Sequence, residues 1–157
     1  MKLSFDQICK DYAGRLVLNN LTGEINEGDI IGLVGANGAG KTTLAKILAG
    51  VIKADSGRVE CFPNDARVLY LDQYPVFEDT STVFEEVLRS LTDRTDGENS
   101  KWNAEATVRK CLNRMGLEEK LWFQKASGLS GGEKTKLSLC KAMVSEYDIL
   151  ILDEPTN

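Results

Sequence analysis

Gly35-Ala36-Asn37-Gly38-Ala39-Gly40-Lys41-Thr42 decides how this chain is read. The stretch fits G-x-x-x-x-G-K-[ST], and its flanks are the ones that pattern needs. Before it, the apolar run Asp29-Ile30-Ile31-Gly32-Leu33-Val34 predicts a strand buried on both faces; after it, Lys41 to Gly50 predicts a helix. The glycines let successive backbone N–H groups face inward around a phosphate, and the helix N-terminus adds partial positive charge. Lys41 is then placed to reach the β- and γ-phosphates, and the Thr42 hydroxyl to ligate Mg2+. A plain Gly-rich turn is the bland alternative, and the flanking pattern argues against it.

Two further stretches gain meaning beside this loop. Ile149-Leu150-Ile151-Leu152 predicts a buried strand delivering Asp153 and Glu154 to its end, the arrangement of a Walker B segment: Asp153 for the Mg2+ shell, Glu154 to polarise an attacking water. Leu129-Ser130-Gly131-Gly132-Glu133 has capping-box spacing at the start of a predicted helix, with Leu137, Cys140, Met143 and Val144 inward. Ser130 and two glycines at a helix start form a second anion site without a lysine. Two such helix starts in a small domain suggest two molecules sharing nucleotide.

Elsewhere the chain predicts an N-terminal hairpin about Ala13-Gly14, with Leu3, Phe5 and Ile8 on one strand and Leu16, Leu18, Leu21 and Ile25 on the other. Arg58 to Cys61 and Arg67 to Leu71 read as short strands. Thr82 to Glu85 is another capping box, opening a helix to about Leu91; Thr92 to Trp102 reads as an exposed polar loop. A further helix is expected from Asn103 as N-cap, with Val108, Cys111, Leu112 and Met115 on one face and Gly116 as its stop.

At 157 residues the chain has the size of one soluble domain. It contains no His, which excludes imidazole acid–base chemistry, imidazole metal sites and His-dependent nucleophiles. Its four Cys (9, 61, 111 and 140) form no C-x-x-C and are expected to be reduced and mostly buried, in a cytoplasmic protein. The N-terminus lacks the apolar core of a signal peptide, and no apolar run is long enough to span a bilayer. A net charge of −5 argues against a surface devoted to nucleic acid, with Lys134, Lys136 and Lys141 left as a local basic group.

With these motifs in hand, the sequence resembles the ATP-binding cassette (ABC) family, in which LSGGE is the signature motif. The resemblance implies an α/β fold: a phosphate-loop, RecA-like core, an antiparallel β subdomain and a helical signature subdomain at about 80–130, all within one partial nucleotide-binding domain over 1–157. It implies ATP and Mg2+ bound by Gly35, Ala36, Asn37, Gly38, Ala39, Gly40, Lys41, Thr42 and Thr43. Tyr12, 23 residues before Gly35, matches the aromatic that stacks on adenine, and Gln73 the Q-loop glutamine that touches Mg2+. Ser130, Gly131, Gly132 and Glu133 would meet the γ-phosphate held by a second cassette in head-to-tail arrangement.

Guanine-specific phosphate-loop enzymes fit poorly. N-K-x-D is absent, and the D-x-x-G at Asp11 to Gly14 precedes the phosphate loop.

Asp153-Glu154-Pro155-Thr156-Asn157 and Glu133 to Leu137 look most like the ABC-F branch, whose partner is the ribosome. The alternative is a transporter cassette docking on a membrane permease. The resemblance also implies a D-loop and a switch histidine beyond Asn157, so the chain as given is expected to be inactive in hydrolysis alone. An alternative of another class is a binding-only or inert nucleotide module.

Overall fold

The computed structural model describes residues 1–92 and 100–154, in two compact units: Met1–Tyr70 with Tyr147–Asp153, and the described residues of Leu71–Glu146 with Glu154. The Pro155-Thr156-Asn157 ending and residues 93–99 of the expected polar loop lie outside the described residues.

In the first unit, β1 (Lys2–Tyr12) and β2 (Arg15–Asn26) form the expected antiparallel hairpin, and β3 (Ser56–Phe62) pairs with the other edge of β1. Leu3 and Phe5 share a parity that Ile8 breaks, and the register explains this. Phe5 lies opposite Gly23 and Ile8 opposite Leu21, so β1 carries one extra residue, with Gln7 at φ 51°. Such a bulge resets the alternation and turns Ile8 into the core. Leu16 and Leu21, apolar residues of the second strand, lie outside the buried cluster and are exposed.

That cluster is completed by Leu44, Ile47 and Leu48 of α1 (Lys41–Leu48), which packs against β2, and by Ile149. β4 (Val68–Leu71) and β5 (Ile149–Leu152) form a two-stranded sheet, tied at its start where the Arg67 N–H donates to the Asp148 carboxylate at 2.8 Å. Ile149 is buried, but Leu150 and Leu152 are exposed, so β5 is covered on one face and not on two.

The expected strand at Asp29–Val34 is absent. Ile30 and Val34 are 100% and 98% exposed, and Ile31 and Leu33 are about half exposed. An extended apolar run becomes a strand only when a neighbour takes its N–H and C=O groups. Among the described residues β4 and β5 pair with each other, and none pairs with this run.

The second unit is helical: α2 (Val83–Thr92), α3 (Ser100–Arg114) and α4 (Gly131–Val144). Thr82 caps α2 as expected; its hydroxyl accepts from the Glu85 N–H at 3.2 Å, while the Glu85 carboxylate accepts from the Thr82 N–H at 2.8 Å. The third helix begins at Ser100, so Asn103 is inside it and is not its cap; the Asn103 carbonyl accepts from Thr107 one turn on. Val108, Cys111 and Leu112 are buried as expected, and Gly116, at φ 67°, follows the helix end. Among the described residues Trp122 is the largest fully buried side chain, its indole N–H donating to the Leu117 carbonyl at 2.8 Å. On α4, Leu137, Cys140 and Val144 pack inward, whereas Met143 is exposed. Cys111 and Cys140 are buried, Cys9 and Cys61 only partly, and all four are free thiols.

One buried ionic contact ties this unit together. Glu86 of α2, 6% exposed, accepts from the Lys141 ammonium of α4 and from the Ser81 hydroxyl. Lys141, expected on a basic face, is thus spent on a carboxylate, and its ammonium also lies 5.4 Å from the Phe77 ring centroid. Burial pushes the Glu86 carboxyl up, but the hydrogen bonds from Lys141 and Ser81 outweigh it and hold the group below its ordinary range.

A depressed carboxyl contributes its full stability above its unfolded value, about 4.3, and loses it as pH falls from there through the lower folded value. Lys141→Met should therefore cost about 2–3 kcal/mol at pH 7, less than the roughly 3–5 kcal/mol of a fully buried pair because Lys141 is partly exposed. The gap to the unsubstituted chain should narrow at pH 4, as thermal unfolding at the two pH values will register.

Candidate functional site

The phosphate-loop motif sits in the first unit as a turn leading into α1. The Ala39 N–H donates to the Ala36 carbonyl at 3.2 Å, and Gly38 and Gly40 take φ of 79° and 94°. Gly40 is the N-cap of α1 and supplies no side-chain acceptor to the first-turn N–H groups. It also has no room for a side chain: a Cβ there would stand 2.7 Å from Leu18 Cδ2 and 3.1 Å from the Val17 carbonyl oxygen. Glycine is thus demanded twice at this position, by its dihedral and by the close approach of β2.

Lys41 opens the helix, and its ammonium folds back over the loop, donating to the carbonyls of Gly35 at 2.8 Å and Ala36 at 3.1 Å. The adjacent Thr42 points to β5, where its Oγ1 donates to Asp153 Oδ1 at 3.0 Å. Two sequence-predicted residues, 111 positions apart, are thereby brought together, with Asp153 only 7% exposed. Hydroxyl and carboxylate oxygens are the hard donors that Mg2+ takes, so this pair fits that ion, and a lysine beside a glycine-lined loop fits a phosphate chain. Tyr12, at the end of β1, is about half exposed, its ring 5.5 Å from the Lys10 ammonium, and is available for stacking.

The remaining predicted residues belong to the second unit. Gln73 Nε2 donates to Glu154 Oε2 at 2.7 Å, and Glu154 sits at φ 46°, a left-handed conformation uncommon for a residue with a side chain. Ser130 caps α4 in the full reciprocal box, and its Oγ donates to the Glu133 carboxylate at 2.6 Å. Hydrogen bonds from the Ser130 hydroxyl and N–H hold the Glu133 carboxyl below its ordinary range. A Cβ built at Gly131 or Gly132 would meet nothing, and neither has a positive φ, so the fold of this chain requires glycine at neither position.

Sequence reasoning did not single out Tyr70. Its hydroxyl donates to Asp153 Oδ2 at 3.0 Å, and the Lys46 ammonium lies 5.8 Å from its ring centroid. A lone strand tyrosine carries no motif, and only its place on β4, beside β5, brings it to the acid. Arg15 was also passed over; its Nη2 lies 3.7 Å from where a Cβ of Gly38 would stand.

The profile of the ABC transporter family matches residues 18–157. The chain belongs to this family. It is 34% identical over 159 residues to YxlF of Bacillus subtilis, an uncharacterized ABC transporter ATP-binding protein, spanning 99% of this chain and 52% of that one. It is 33% identical over 156 residues to the energy-dependent translational throttle protein EttA of Haemophilus influenzae, spanning 99% of this chain and 27% of that one. This ABC chain therefore spans about half, or less, of the length of those relatives.

Its fold is that of the ATP-binding cassette MJ0796, solved as a dimer in a post-hydrolysis state with ADP and Pi: TM-score 0.82, 24% identity, 98% of this chain and 74% of that one. The fold class expected from sequence, a RecA-like phosphate-loop core with an antiparallel sheet and a helical part, is the one observed, and the family is one of ATP hydrolases. Among the described residues no helix is long and apolar enough to cross a membrane.

Gly40→Ala should destabilise the first unit by about 1–3 kcal/mol, the cost of holding a non-glycine residue in a sparsely populated conformation, and should also weaken nucleotide binding. Thermal melts and ATP titration of the variant check both.

Proposed function

We propose that this chain binds MgATP and supplies the nucleotide-holding part of an ABC cassette that drives a membrane transporter. The observation that carries MgATP binding is the Thr42–Asp153 hydrogen bond beneath the Lys41 loop, which pairs two hard oxygen donors beside a lysine and a helix start. The family profile and the name borne by YxlF support the transporter over the ABC-F branch, to which the motifs had pointed first.

In this reading Lys41 and the N–H groups of Gly38 to Thr43 hold the β- and γ-phosphates, while Thr42 and Asp153 hold Mg2+. An ion held there would supply neutralisation of charge on the phosphate oxygens. Tyr12 stacks on the base. Glu154, next along the chain after Asp153, takes a proton from the attacking water, and Gln73, hydrogen-bonded to it, orients the carboxylate. Ser130, Gly131 and Gly132 form the face offered to the nucleotide of a second cassette. The open space at both glycines supports this, since the fold alone gives no reason for them. Water exclusion by that second cassette would strengthen every electrostatic contact to the γ-phosphate.

A second reading, a ribosome-associated ABC-F ATPase working in the cytoplasm, is favoured by the 33% identity to EttA and by the Asp153 to Asn157 ending. Cosedimentation with ribosomes supports it, and copurification with a membrane permease supports the transporter.

Lys41→Ala should weaken ATP binding about 100-fold by calorimetry, because a charged donor to phosphate is lost; unchanged affinity would sink the MgATP assignment. In any form of the protein that turns ATP over, Glu154→Gln should keep nucleotide binding and lower kcat by about 100-fold or more. Turnover equal to that of the unsubstituted protein contradicts the role given to Glu154. A chain that binds ATP and hydrolyses none, even when paired with a second cassette, is the binding-only module.

A further inference from the structure

We propose that Tyr70 is a positioning residue for the metal site: its hydroxyl holds one oxygen of Asp153 so that the other faces Thr42. The inference rests on the MgATP reading and adds to it a residue outside the nucleotide-binding motifs.

A carboxylate accepts on both oxygens, and its terminal torsion is broad, so an aspartate ligand needs an anchor to present one oxygen in a fixed direction. Asp153 has two hydroxyl donors on different oxygens: Thr42 Oγ1 on Oδ1 and Tyr70 Oη on Oδ2, each at 3.0 Å. A hydroxyl has one proton and two lone pairs, so Thr42 could offer a lone pair to an ion while its proton stays on Oδ1. Tyr70 acts on the opposite oxygen, away from that contact. It would therefore fix the carboxylate torsion from the side that does not meet the threonine, as hydrogen bonds to ligating carboxylates do elsewhere.

The surroundings strengthen the bond. Asp153 is buried, which raises the electrostatic weight of each contact. The Lys46 ammonium over the Tyr70 ring comes from α1, one turn beyond Thr42, so the helix that bears the threonine also steadies the phenol. A cation over the ring draws electron density from the oxygen and makes the hydroxyl a better donor. The placement follows from strand order: β4 lies directly beside β5, and Tyr70 and Asp153 stand near the ends of those two strands.

Tyr70→Phe removes the hydroxyl and keeps the ring beneath Lys46. Binding of Mn2+ to the ATP-loaded chain, followed by electron paramagnetic resonance, is expected to weaken about tenfold in this variant, while ATP affinity in EDTA changes less than about twofold. In an Asp153→Asn background the same substitution should have no further effect on Mn2+, because the oxygen it positions is no longer a carboxylate.

Unchanged Mn2+ affinity in Tyr70→Phe overturns the proposal, as does an equal loss in both backgrounds, which marks a general effect on folding. Absence of ATP-dependent Mn2+ binding in the unsubstituted chain overturns the MgATP reading and this one with it. Normal binding there, with an unaffected Tyr70→Phe, overturns this one alone.

Discussion

The hydroxyl of Thr42 meets the carboxylate of Asp153 across 111 residues of chain, and the first unit is arranged so that they can meet. Thr42 is aimed by α1, whose start is set by Gly40. Gly40 in turn exists because β2 passes so close that any Cβ would strike Leu18 and Val17. Asp153 is delivered by β5, held beside β4 through the Arg67–Asp148 contacts. Leu44, Ile47 and Leu48 bury one face of α1 with Leu18 and Ile149, so one apolar cluster joins the helix that carries the hydroxyl to the strand that carries the acid. Apolar burial, which has no direction, supplies cohesion; the backbone constraint at Gly40 and the strand pairing supply direction.

The second unit depends on a different device. Around Val87, Val108, Leu112, Trp122 and Leu137 it has an ordinary helical core, but Glu86 and Lys141 place a charge pair at its edge. A buried charge without a partner costs far more than a paired one, so the arrangement permits one register of α2 against α4. Ser81 and Phe77, on the stretch after Gln73, contact the same pair, which links that stretch to the helix begun by Ser130. The polar groups to which chemistry is assigned by proposal and those that fix packing are therefore neighbours along the chain within this unit.

Local signals were legible where the cause was local. The capping boxes at Thr82 and Ser130, the turn at Ala13-Gly14 and the stop at Gly116 are each set by a few adjacent residues, and each appears where the spacing put it. The expectation failed where the cause lay elsewhere in the chain. The Asp29–Val34 run has a strand's composition, but hydrogen-bonded neighbours make a strand, and none is found for it among the described residues. Asn103 had a cap's composition, yet the helix had already begun at Ser100. Leu16, Leu21 and Met143 are apolar and exposed, because periodicity names a face without saying how far the opposing surface extends to cover it.

The amino-acid order was enough to point to the family: a glycine loop before Lys41-Thr42, an acid pair after an apolar run and a serine-glycine helix start are combinations set by residue type and spacing, and the family profile matches residues 18–157. Proximity was decided only in three dimensions. That Tyr70 reaches Asp153, that Lys141 is taken by Glu86 and not left on a basic face, and that Gln73 holds Glu154 all depend on which strands and helices lie side by side. A hydrogen bond acts over about 3 Å whatever the separation along the chain, so these partners carry no pattern in the sequence and appear only once the chain has packed.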